Sequence, residues 1–406
     1  MSKAPERRRT TYGAGSMKQR GGDPNTWRLR AFTGRDPVSG HAIQIHRTFH
    51  GSETAARKAL AKLVAEVQAG KFDRTRATVG QLLDKWLEQI GSSRRPSTVA
   101  GYRSKIEHAI RPALGDVRLS KLGADDLDAN YRAWLEGGLS PTTVRQYHAI
   151  LSAALRQGER WGWVDQSPAR RASPPTVRTS PMSIPTPAQL TQLLRAAGGD
   201  PVLATAIALA ALTGARRGEL CALRWSDVDL DMASVRIERG VTVVAGRSHV
   251  GPTKTHQARR IALDEIGVTV LQKRWHDMHR LSEHAESPLV DDPYVLSPNA
   301  NGARSVNPDT ISHRFAALCR KLEEPARRRA EKTGHELKES ERWPFRFHDI
   351  RHYSVTTLIA SGMDIRTVSE RHGHAQATMT LNRYAHALPE RDRAAAAVLG
   401  RALDLN

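Results

Sequence analysis

Tyr384 stands ten residues after His374, in the stretch His-Gly-His-Ala-Gln-Ala-Thr-Met-Thr-Leu-Asn-Arg-Tyr-Ala-His at residues 372–386. A phenol ionises only near pH 10, at a pKa of about 10, so a tyrosine attacks well only where neighbours stabilise the developing charge. Two upstream segments carry suitable cations: Thr213-Gly214-Ala215-Arg216-Arg217-Gly218-Glu219 and His348-Asp349-Ile350-Arg351. A guanidinium fork binds two phosphate oxygens at once, so Arg216 and Arg351 suit the clamping of a phosphodiester that Tyr384 attacks. Gly214 lets the chain turn sharply between two helical runs and sets Arg216 at the edge of a helical core. Glu219, one helical turn on, is placed to orient or buffer that arginine. His348 and Arg351 are three apart, so a helix through Ser361 presents both on one face.

A lysine follows from the strand pattern. Val241–Val244 and Arg259–Leu263 read as hairpin arms, with a Gly/Ser-rich tip through Gly251 and then Lys254. Lys254 is either the general acid for a leaving oxygen or a solvated loop lysine. A metal centre is the rival reading of His348, His352, His372, His374 and His386. No Cys pair, His-Glu-x-x-His or carboxylate triad accompanies them, so no metal is expected.

These residues need elements to hold them. At 406 residues the chain is long enough for two or three domains. Its net charge of +20 points to a polyanionic partner. Residues 1–80 carry 16 Lys and Arg against 6 Asp and Glu, and the excess continues at lower density beyond them, which suits a long DNA footprint. The two cysteines, Cys221 and Cys319, are unpaired in pattern and are expected to be buried thiols of a reducing cytosol. No apolar run reaches membrane-spanning length, and no apolar region follows the basic N-terminus, so a soluble intracellular protein is expected.

The expected fold is multidomain and mainly α. Residues 1–74 alternate with period two over Ser16–Arg20, Thr26–Phe32 and Ala42–Phe49, and Ser52 then caps a helix to about Ala69. This predicts a small antiparallel sheet backed by one helix. Residues 75–178 predict a four-helix bundle followed by a proline-rich basic linker from Ser167-Pro168 to Ile184-Pro185. Residues 179–406 predict a mixed, mostly helical segment with a small antiparallel sheet near 234–263. Within it, Glu323–Arg342 has no apolar face and reads as an exposed insertion. Arg28, Arg30 and Arg47 in the sheet, and Arg94, Arg95, Arg103, Lys105, Arg145 and Arg156 in the bundle, either grip phosphates or solvate the surface.

The order Thr-Gly-x-Arg-x-Gly-Glu, hairpin Lys, His-x-x-Arg-His, Gly-His, Tyr-Ala-His resembles the tyrosine recombinase (phage integrase) family across residues 179–406. The upstream segments are similar to that family's arm-binding and core-binding modules. The resemblance implies that Arg216 and Arg351 stabilise a pentacoordinate phosphate and that Lys254 protonates the departing 5′ oxygen. It implies that His348 and His374 assist proton transfer and phosphate binding, that Glu219 supports the site, and that Tyr384 forms a 3′-phosphotyrosine. His372 stands where the family has an apolar residue. No cofactor is implied. The implied partners are double-stranded attachment sites, a homotetramer spanning two duplexes, and an excisionase or host architectural protein. The implied location is the cytoplasmic nucleoid. A helix over Arg391–Leu405 packs on a neighbouring subunit or folds back on its own domain. A chromosome-dimer-type recombinase and a type IB topoisomerase are the alternatives within the same chemistry.

Overall fold

The computed structural model describes residues 15–21, 23–36, 38–69, 72, 75–177, 182–244, 246–253 and 258–373. Lys254, His374, Tyr384 and the helix expected over Arg391–Leu405 lie outside the described residues. The chain divides into two compact units, Met1–Thr179 and Ser180–Asn406.

In the first unit, strands β1 (Gly15–Gln19), β2 (Thr26–Arg35) and β3 (Ala42–His50) form an antiparallel sheet with β2 in the centre. Strand alternation sends Leu29 and Ala31 to one face, where they pack on Ala56, Leu63 and Val67 of α1 (Glu53–Gln68). Ser52 caps α1 by accepting the Ala55 N–H. The opposite face sets Lys18 beside Arg28 and Arg30 beside His46, all exposed.

The bundle comprises α2 (Val79–Gly91), α3 (Pro96–Lys105), α4 (Arg111–Leu114), α5 (Ala124–Glu136) and α6 (Pro141–Arg160). Its core is built on Leu82, Leu83, Ile106, Ile110, Leu127, Leu151 and Leu155. Between α3 and α4 the helix widens into a π turn at Ile106–Ile110. Pro112 has no N–H for the carbonyl four residues back, and its ring crowds that carbonyl. The preceding turn opens so that the Arg111 N–H reaches Ile106 O, and His108 Nδ1 takes up Ser104 O at 2.7 Å.

The linker begins later than its first proline suggests. Pro168 and Ala169 form a short turn buried in the bundle. The chain beyond is tied down where Ser173 N donates to Asp128 Oδ1 at 2.6 Å and Arg145 Nη1 donates to Pro175 O at 3.3 Å.

The second unit surrounds α8 (Pro201–Thr213), an apolar helix buried along Val202, Leu203, Ala206, Ile207, Leu209 and Ala210. Around it lie α7 (Pro187–Ala196), α9 (Arg217–Ala222), α10 (Glu265–His284), α11 (Pro308–Thr333), α12 (Phe347–Ala360) and α13 (Ile365–His372). Strand β5 (Ser234–Ile237) pairs with β4 (Val228–Asp229) and β8 (Arg259–Ala262), while β6 (Arg239–Val244) pairs with β7 (Arg247–Pro252).

This corrects the expected hairpin. The partner of 241–244 is 247–250, and 259–262 closes on β5 instead. Both segments read as strands, but only tertiary packing of Val235, Ile237 and Ile261 in the core selects the pairing. The charged stretch from Glu323 continues α11 out of the core as an exposed helix laced by pairs such as Arg328–Glu324 at 2.8 Å. Cys221 and Cys319 are both buried in this core, and burial pushes each thiol up to about 12.

Leu151 is fully buried at the centre of the bundle. Leu151→Ala should therefore destabilise the bundle by about 2–5 kcal/mol, read as a lower denaturant midpoint.

Candidate functional site

The site begins where α8 stops. Thr213 Oγ1 donates to Leu209 O at 2.5 Å and accepts Ala215 N at 3.1 Å, closing the helix end. Gly214 follows at φ +60°, a left-handed conformation that glycine adopts freely. A side chain there would also meet His372 Nε2, which lies 2.1 Å from the position a Cβ would take. The chain then re-enters a helix at α9, with Arg216 as the extended residue that caps its start. Glu219, in the first turn of α9, accepts the Arg216 N–H at 2.9 Å and Arg216 Nη1 at 2.7 Å. Glu219 thus orients Arg216 through both backbone and side chain. Arg217 turns the other way, to Asp309 of α11 at 3.1 Å and to Ser312.

Arg351 approaches from α12 and is buried. Its Nη1 donates to Gly214 O, and its Nη2 donates to His372 O at 2.6 Å. His348, one turn earlier, is exposed and stacks edge-on against His352 with ring centroids 4.8 Å apart. Arg216 Nη2 donates to Gly373 O at 2.8 Å. The two arginines singled out in sequence are therefore brought together on consecutive carbonyls at the C-terminal end of α13.

Two further arginines complete this arrangement, and neither was singled out in the sequence. Arg259 of β8 donates Nε to Arg371 O at 2.9 Å and Nη2 to Glu219 Oε2 at 2.6 Å. Arg371 reaches back to Leu212 O at 2.8 Å and Ala262 O at 3.1 Å, and burial lowers its pKa. The carbonyls of residues 371, 372 and 373 thus each accept a bond from a different arginine. Helix-end carbonyls lack intrahelical partners and carry the negative end of the helix dipole, so cations are favoured there. The signal for Arg259 was its parity with Ile261, since alternation in β8 turns both inward and leaves Arg260 exposed.

His372 is fully buried. Its Nδ1 lies 2.8 Å from Val368 O and its Nε2 lies 3.2 Å from Ser354 Oγ. A carbonyl can only accept, so Nδ1 donates to Val368 O. The histidine that replaces an apolar residue is thereby satisfied inside the core.

The expected DNA contacts divide. Arg28 and Arg30 occupy the open face of the sheet, and Arg94, Arg103 and Arg145 are exposed on the bundle, where Arg95 and Lys105 are half-buried. Arg47 departs from expectation. It faces Leu29 across the strands, on the helix-covered side, and pairs with Glu66 of α1 at 3.1 Å. It shares parity with Ile45 and Phe49, so the β3 side chain beside Arg30 on the open face is His46.

Burial raises the Glu219 carboxyl pKa, but hydrogen bonds and charge from Arg259 and Arg216 outweigh it and hold the group below its ordinary 4.5. A depressed folded-state pKa contributes stability that is present above the unfolded value and lost as pH falls through the folded one. Glu219→Gln should therefore be less stable than wild type near neutrality. The gap should narrow as pH drops from about 6 to about 3 in chemical denaturation.

The sequence matches the Phage integrase family over residues 186–391 and the Phage integrase, N-terminal SAM-like domain over residues 78–135. Among curated relatives, the ICEBs1 integrase of Bacillus subtilis (strain 168) is 22% identical over 363 residues, covering 89% of this chain and 93% of the relative. The integrase of Streptomyces ambofaciens is 30% identical over 260 residues, covering 62% and 65%. The fold is similar to that of the Tn1549 transposon integrase solved with a circular intermediate DNA, at TM-score 0.64 and 23% identity, over 80% of this chain and 99% of that one. It is also similar to the lambda integrase tetramer bound to a Holliday junction, at TM-score 0.53 and 19% identity, over 89% and 96%. With the family pattern spanning the arginine-bearing unit and the SAM-like pattern falling on the helical bundle, this chain belongs to the phage integrase family of tyrosine recombinases.

Proposed function

We propose that this chain inserts and removes a mobile DNA element by two successive transesterifications, with Tyr384 as nucleophile. The observation that carries this reading is the convergence of Arg216 and Arg351, from separate helices, on one helix end beside a single buried carboxylate. Arg216 and Arg259 on Glu219, with Arg351 and with Arg371 near Asp264, leave an excess of positive charge among the described residues there, which suits a phosphodiester gaining charge in its transition state.

In this course Tyr384 attacks the phosphorus and the 5′ oxygen leaves with a proton from Lys254. His348 and His374 assist proton transfer and hold phosphate oxygens. The phosphotyrosine keeps the bond energy, and the 5′-hydroxyl of a partner strand then attacks it, releases the tyrosine and rejoins the backbone. No nucleotide hydrolysis is needed, because one phosphodiester is exchanged for another.

The three modules divide the DNA work. The sheet of residues 1–74 takes an arm-type site through Lys18, Arg28, Arg30 and His46. The bundle of 75–178 grips the core site through Arg94, Arg95, Arg103, Lys105 and Arg145, and residues 179–406 cut it. By likeness to the lambda integrase tetramer on a Holliday junction, four protomers act on two duplexes. An excisionase or host architectural protein sets direction, and the protein works at the nucleoid. Among the described residues no helix is long and apolar enough to cross a membrane.

Two measurements follow. A duplex pool of random sequence, enriched by binding to the full-length chain and then nicked, should yield a covalent protein–DNA adduct with wild type and none with Tyr384→Phe. An undiminished adduct with the phenylalanine would contradict the assignment. Replacing Arg28 and Arg30 together with alanine should weaken arm-site binding and lower the slope of log affinity against log salt by about 1 per arginine. An unchanged slope would remove the sheet face from the DNA interface.

A further inference from the structure

Arg259 belongs to none of the residues expected to touch DNA, yet it binds two parts of the site at once. Its Nη2 meets the Glu219 oxygen that also accepts the Arg216 backbone N–H, and its Nε meets Arg371 O. Its side chain is only 9% exposed. The third nitrogen, Nη1, is buried, has no hydrogen-bond partner among the described residues and lies over Gly373, 2.9 Å from where a Cβ would stand. A side chain at 373 would therefore push the guanidinium away. Gly373 is itself left-handed at φ +61° and immediately precedes His374.

An ion pair kept for stability alone would not have this form. A buried donor without a partner is costly, and apolar side chains often replace buried ion pairs without loss. Arg260, the next residue on the strand, shows what an uncommitted arginine does here: it is 62% exposed and 3.8 Å from Asp229. The geometry of Arg259 is instead that of a strut. It spans from the carboxylate that aims Arg216 to the first of the three carbonyls that gather Arg351 and Arg216. A lysine carries the same charge at one point and lacks the fork to hold both ends.

We propose that Arg259 is a positioning residue for strand cleavage: it locks Glu219, and through it Arg216, to the 371–373 segment that leads into His374. The proposal rests on the reading of Arg216 as a phosphate clamp. Arg259 acts through Glu219 and needs no contact with DNA, so its loss should slow the chemical step and leave binding in place.

The test uses the full-length chain and the nicked duplex captured by wild type, with adduct formation followed in single turnovers at saturating protein. Arg259→Gln and Arg259→Lys should each slow adduct formation by about a hundredfold, the effect expected of a catalytic group displaced by an ångström. Duplex affinity should stay within about threefold. Arg260→Gln, on the outward face of the same strand, should keep the wild-type rate. The double variant Arg259→Gln with Glu219→Gln should be no slower than Glu219→Gln alone, because one residue acts through the other.

Adduct formation by Arg259→Lys within about threefold of wild type would overturn the proposal. So would full additivity in the double variant, or a loss of affinity and melting temperature that accounts for the slower rate. A wild-type chain that forms no adduct on any captured duplex would instead overturn the strand-exchange reading beneath it.

Discussion

The site depends on how the C-terminal end of one eight-residue helix, α13, is satisfied. Its terminal carbonyls at 371, 372 and 373 accept from Arg259, Arg351 and Arg216, which arrive from a strand and two helices. Like charges gathered this closely repel, and two carboxylates, Glu219 and Asp264, cannot neutralise four of them. The helix-end dipole and the fixed carbonyls of Leu212, Gly214 and Ala262 share that burden without adding formal negative charge. The arginines are thereby assembled while the net positive field survives, which is the condition a phosphodiester in its transition state requires.

The rest of the unit serves that arrangement. The mostly apolar α8 is buried along most of its length, so its end is a fixed point from which Thr213, Gly214 and Arg216 project. Glycine at 214 admits the His372 ring, and glycine at 373 admits the Arg259 guanidinium. Both are left-handed, so each supplies a turn and a close approach together. His372 follows from the same crowding. The ring fits between Val368 O and Ser354 Oγ, with each nitrogen against one of them, inside the core. His348 is exposed on α12, one turn before Arg351.

Much of this was legible in the sequence because periodicity and glycine placement are local. Period two drew the three N-terminal strands nearly to their bounds, and the 3.6 repeat drew the bundle. What escaped was what tertiary pairing decides. Residues 247–252 carry little hydrophobic signal, so their pairing with 239–244 was invisible, and 259–263 seemed the better partner. The side of the sheet that Arg47 occupies was readable from Ile45 and Phe49, yet charge type outweighed parity in the expectation. Arg259 and Arg371 lacked a motif altogether. Their role exists only because β8 and α13, more than a hundred residues apart, meet at the end of α8.

The central claim is that the arginine cluster is built before DNA arrives. Hydrogen exchange of guanidinium Nε–H groups in the DNA-free, full-length protein, resolved by NMR, tests it most directly. The Nε–H of Arg259, bonded to Arg371 O, should exchange far more slowly than that of Arg280, an exposed arginine of α10. Equal, fast exchange at both positions would show that the cluster forms only on the substrate, and would contradict the account.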